Sequence, residues 1–193
     1  MHPAAEALIA ELEAESPATR RVLERVPGDR LDWRPHPKSM SLGQLAQHVA
    51  ALPGSISRLA ALDGLDASTV DFEQAPAESA ESLLPTFDAS VAAARDYLAG
   101  LTAETAMAPW RLSLGEREVF TLPRVGLMRT LAFNHLYHHR GQLTVYLRLL
   151  GVPVPAVYGR SADDNPFAPR HSFPTPLDNP AERVYSCSCW IGE

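Results

Sequence analysis

The chain has 193 residues, 46% of them hydrophobic, and carries 17 Lys and Arg against 23 Asp and Glu for a formal net charge of −6. That length predicts one domain with a remainder, and the apolar share can fill a core, which excludes disorder of the whole chain. The acidic balance, with only Arg20 and Arg21 adjacent and a pI of 5.6, excludes a nucleic-acid face and a basic membrane-surface patch.

The first segment, Pro3 to Val26, spaces Leu8, Ile9, Leu12, Val22, Leu23 and Val26 as a helix does. Ser16-Pro17 predicts a break or kink in it, with Ser16 as N-cap and Pro17 as the first helical residue. Four glutamates lie before residue 16, without a basic stretch or a long apolar run, so no secretory leader is expected. Pro27-Gly28-Asp29 ends the helix and a Pro-containing loop follows.

Ser41 and Gln44 predict a capping box for the second helix, and Met40 stands where it can staple onto Leu45. Leu45, Val49 and Leu52 share one face, and Pro53-Gly54 predicts a kink or restart before Ile56, Leu59 and Leu62. After an expected polar loop, 63–79, the 3-4-3-4-3 spacing of Leu84, Phe87, Val91, Ala94, Leu98 and Leu101 predicts a third amphipathic helix, with Pro85 in its first turn. Trp110 to Leu122 reads as a small β-hairpin around Leu114-Gly115-Glu116.

The longest periodic segment is Arg124 to Leu150, closed by Gly151 and Pro153. Seven of the 17 prolines lie from Pro153 to Pro180, so a domain over 1–167 followed by an extended, irregular tail over 168–193 is expected. Cys187 and Cys189, the two cysteines, fall in that tail. They cannot form a disulfide framework, which fits a reducing cytoplasm, and two free thiols are the plain reading of them.

The fourth helix carries the chemistry. With Leu131 at 0° and about 100° per residue, Leu127, Met128, Val145 and Leu149 define the expected core face. Asn134, His135, His138, His139 and Gln142 fall on it too, and each polar group buried there costs roughly 1–3 kcal/mol unless satisfied. Arg140 points the other way. His135 and His139, one turn apart, offer two nitrogens to one ion, and His48 projects from the second helix beside Leu45 and Leu52. Three imidazoles leave coordination positions open, as catalytic sites do. The plainer alternative is a hydrogen-bonded polar seam. His138 reads as a pocket residue or a support to the ligands, and Asn134 and Gln142 as orienting groups or interhelical bonds. Trp33 and Trp110 either line a pocket or cap the bundle. A separate stripe, Leu136, Leu143, Leu147 and Leu150, predicts a homodimer, with packing under the hairpin or the C-terminal tail as the competing explanation.

The run His135-Leu-Tyr-His138-His139-Arg140-Gly141-Gln142-Leu143, continuing to Pro153, resembles the signature of the DinB-like metal-binding helical bundles. Leu31-Asp-Trp33-Arg-Pro35, Ser39 to Leu45 with His48 beyond, and Tyr158-Gly159 before Ser161-Ala-Asp-Asp agree with it. The resemblance covers residues 6–167 and implies an all-α four-helix bundle of up-down-down-up topology, often dimeric. It implies a divalent metal, nickel or zinc, on His48, His135 and His139. The activity it implies is metal-dependent thiol S-transfer, with a low-molecular-weight thiol as partner. Hydrolysis and a non-catalytic stress-response sensor are the alternatives. A hydrolase is disfavoured by the lack of a carboxylate on the ligand faces.

Overall fold

The computed structural model describes residues 1–168; the expected tail from 169 onward, with Cys187 and Cys189, lies outside the described residues. The fold is mostly helical with a small three-stranded sheet. Its long helices are α1 (Pro3–Leu23), α2 (Leu42–Ala60), α3 (Leu83–Ala99) and a last helix built in three parts. These parts are α5 (Arg124–Leu127), a π-helical segment (Met128–Asn134) and α6 (His135–Leu149), and α4 (Ala103–Met107) is a short helix before the hairpin. α1 packs on α3 and α6, and α2 on α3, α6 and the π segment, around one shared core that includes Leu12, Leu45, Phe87 and Leu143. Among the described residues no helix is long and apolar enough to cross a membrane.

Neither internal proline breaks its helix. α1 runs through Pro17, so Ser16 is not an N-cap; its hydroxyl donates to the Leu12 carbonyl at 2.6 Å. The carbonyl that Pro17 cannot serve is that of Glu13, an exposed residue. α2 begins with the expected capping box, Gln44 N–H on Ser41 Oγ at 3.2 Å and Ser41 N–H on Gln44 Oε1 at 2.9 Å. It also continues through Pro53-Gly54, and Ser90 of α3 serves the backbone on either side of the proline. Ser90 Oγ accepts from Gly54 N at 2.8 Å and donates to Ala51 O at 3.0 Å. The two backbones approach so closely that a Cβ on Gly54 would lie 2.9 Å from Ser90 Cα.

The hairpin forms as β2 (Pro109–Leu114) and β3 (Arg117–Pro123), turning at Gly115, whose φ of +59° suits glycine. The expected polar loop contains a third strand, β1 (Gly64–Asp66), paired parallel to β2 with Leu65 opposite Leu112. Gly64 permits the pairing, since a Cβ there would meet the Arg111 carbonyl at 2.4 Å. Three residues are too few to show an alternating pattern.

The largest correction concerns the last helix. Val145 and Leu149, expected in the core, are 56% and 61% exposed, while Leu136, Leu143 and Leu147, expected at a dimer interface, are buried in the chain's own core. A π turn closes i→i+5 bonds and so takes up one residue more than an α turn, which shifts the downstream residues by one wheel step of about 100°. Before the π segment the buried Leu127 and Met128 lie at about −40° and +60° from Leu131; after it Leu136, His139, Leu143 and Leu147 lie between about 80° and 160°. Gly151, at φ +72°, closes the helix as expected. The segment beyond is held down by Asp163 and Asp164, which accept from Val154 N at 2.9 Å and Ala156 N at 2.8 Å.

Candidate metal centre

The capping box fixes where α2 starts, and its register turns His48 toward α6. The π segment sets the phase of α6 and brings His135 and His139 round to meet it. The three rings converge: His48 Nε2 lies 3.4 Å from His135 Nε2, which lies 2.7 Å from His139 Nε2. One nitrogen from each ring falls within 4.8 Å of the others, a grouping that could hold a metal ion.

The far nitrogen of each ring is occupied. His48 Nδ1 meets Gln74 Oε1 at 2.7 Å and His139 Nδ1 meets Gln142 Oε1 at 2.7 Å, and His135 bonds the Leu131 carbonyl. An amide or carbonyl oxygen only accepts, so the Nδ1 of His48 and of His139 carries the proton and its Nε2 offers a lone pair. Gln74 is itself placed by the cap residue, since Gln44 Nε2 donates to the Gln74 carbonyl at 2.8 Å.

Burial holds all three imidazoles neutral. It lowers the pKa of His48 against the raising effect of Gln74, and lowers that of His135 with help from His48. His139 is pushed down to about 4, chiefly by burial. Neutral nitrogens whose lone pairs face one another repel, and a cation between them relieves that. Zinc–nitrogen bonds of about 2.0–2.1 Å at tetrahedral angles separate the ligand atoms by about 3.3 Å. The 3.4 Å pair meets this, and the 2.7 Å pair needs His135 and His139 to part by a few tenths of an ångström.

The other polar residues of the fourth helix divide differently from expectation. Asn134, His138 and Gln142 are exposed. Gln142 orients His139, whereas His138 only stacks edge-on against the His139 ring at 4.9 Å. Arg140, expected to face outward, is 2% exposed. It pairs with Glu15 at 2.8 Å, donates to Thr19 Oγ1 at 3.0 Å and to Tyr158, and lies over the Tyr137 and Tyr158 rings. An acid at the matching level of α1 was the sequence signal for this pair. Gln74 carried no such signal, because its role depends on how the 63–79 loop folds back.

A cavity of about 320 Å³ opens beside the cluster, with His48, His135 and Gln74 among its lining residues. Trp110 lines it and Trp33 does not; Trp33 packs edge-on against Tyr146.

Comparison with known proteins agrees with this architecture. The chain is 29% identical over 157 residues to the uncharacterized protein YrdA of Bacillus subtilis, covering 79% of this chain and 86% of that one. A DinB-like protein from Bacillus cereus superposes with a TM-score of 0.60 at 24% identity, over 79% of this chain and 97% of its own. A member assigned to the same family from Exiguobacterium sibiricum gives 0.55 at 26% identity, over 78% and 94%. The DinB family pattern matches residues 1–170, and the chain belongs to the DinB family.

Proposed function

We propose that His48, His135 and His139 hold one divalent transition metal, nickel or zinc, and that the protein is a metal-dependent thiol S-transferase. The observation that carries this reading is the convergence of three neutral imidazoles, with the far nitrogens of His48 and His139 tied to glutamine oxygens. When bound, such a metal supplies a Lewis acid that favours the thiolate of a low-molecular-weight thiol over the thiol. The chain's own residues fix the ligand rings, keep them unprotonated and set an apolar cavity beside them. No Asp or Glu is among the described residues lining that cavity, which favours thiol transfer over hydrolysis, where a carboxylate moves the proton. In this reading residues 1–167 form the domain, with the long helices in up-down-down-up order, and the protein works in a reducing cytoplasm. A homodimer would use the exposed Val145 and Leu149 face of α6.

The test is a panel of electrophiles with bacillithiol, mycothiol or glutathione, with and without metal. Thiol-dependent turnover that disappears in His48→Ala is the expected result. Thiol-independent ester or amide cleavage would instead make the protein a hydrolase, and binding without turnover a sensor.

A further inference from the structure

The cavity beside the histidines has a shape and polarity that specify an occupant. Its floor is one stripe of α2, in which His48, Ala51, Leu52, Ser55, Ile56 and Leu59 recur at i, i+3, i+4, i+7, i+8 and i+11. At 1.5 Å per residue that stripe runs about 16 Å. The histidine end carries His48, His135 and the Gln74 amide, whose oxygen is already engaged by His48. The far end carries Trp110, whose indole N–H is spent on the Leu59 carbonyl at 3.0 Å, so only its ring remains for a ligand. Leu65 and Leu112, paired across β1 and β2, close the side, and Phe72, 66% exposed, lies at the rim.

None of the described lining residues is Asp, Glu, Lys or Arg. A ligand charge lying along the stripe would therefore be buried without a partner, which is costly. About 320 Å³ is also the small end of the roughly 300–1,000 Å³ range of ligand pockets. We propose that this cavity binds a small uncharged molecule, its aromatic or branched apolar body lying along α2 toward Trp110 and its polar head against His48 and His135. The inference deepens the metal-site reading by naming the class of the second substrate, and the binding itself rests on the cavity alone.

The experiment is calorimetric titration of the full chain with 2-naphthol and with 2-naphthoate, as purified and after chelation, with metal content measured on the same samples. Saturable binding of one 2-naphthol per chain is expected in both states, with 2-naphthoate at least tenfold weaker on the chelated chain. Ala51→Phe and Ser55→Phe, which fill the cavity, should each weaken 2-naphthol at least tenfold. Ala92→Phe, in a separate cavity between α1 and α3, should change it less than twofold. Absence of saturable 2-naphthol binding would overturn the proposal, as would indifference to both filling variants or equal binding of the carboxylate by the chelated chain. Naphthol binding by a chain that never takes up metal would refute the metal reading and leave the cavity assignment standing.

Discussion

His139 and Arg140 are consecutive on α6 and meet opposite kinds of polar surroundings. Around Arg140 the polar demands are met: Glu15 neutralises it, Thr19 and Tyr158 take N–H groups, and its Cζ lies 5.2 and 5.0 Å from the ring centroids of Tyr137 and Tyr158. Tyr137, in turn, donates to Glu11 at 2.6 Å. Around His139 the outer nitrogen is satisfied by Gln142 while the inner one faces two more lone-pair donors. The saturated cluster joins α1 to α6 and the segment after it. The unsaturated one invites a cation. A buried polar group with all its partners present is architecture, and convergent acceptors with no donor between them mark the place where something else binds.

Breaking the saturated side should have the largest effect. Glu15→Ala leaves Arg140 buried without its counter-ion, for which about 3–5 kcal/mol of stability is the expected loss. Urea denaturation should show it, and metal content per folded chain should stay unchanged. A variant that loses metal while remaining fully stable would erase the distinction between the two sides.

Loosening the support of the other side should act on metal and little on the fold. Gln142→Leu and Gln74→Leu each free a ligand ring to turn, and a 10- to 100-fold loss of metal affinity is typical when such supports go. Competition with a chromogenic chelator measures it. Equal affinity in both variants would mean that the glutamines do not orient the ligands.

The two sides also separate by pH. In the metal-free chain His139 has a folded pKa of about 4, below its unfolded value of about 6.5. The unfolded chain therefore takes up protons that the fold refuses, and stability falls as pH drops from about 6.5 to about 4. Glu11 is held below its ordinary value by its hydrogen bond to Arg129, so its contribution is present above that ordinary value and is lost only at lower pH. Chemical denaturation across this range should show the first stage flattened in His139→Asn and the second retained.

Much of this arrangement was legible in the sequence, and the failures share a cause. The capping box at Ser41 and Gln44, the hairpin and the one-turn spacing of His135 and His139 follow from local spacing, and the fold keeps them and brings His48, inward-facing on α2, to that pair. Pro17 and Pro53 read as breaks because their surroundings, an exposed Glu13 and the Ser90 bonds to Gly54 and Ala51, are not local to the pattern. The face of α6 was misjudged because a constant 100° step cannot foresee a π segment, and the single extra residue exchanged Leu143 and Leu147 for Val145 and Leu149. Gln74 was invisible for the reason that loops usually are: its position comes from Gln44, 30 residues away.

The most direct measurement is elemental analysis of the purified chain and of three histidine variants. We expect close to one nickel or zinc per chain in the wild type and in His138→Ala, whose ring lies outside the cluster, and loss of that metal in His48→Ala and His139→Ala. Stoichiometric metal surviving in both of the latter would contradict it.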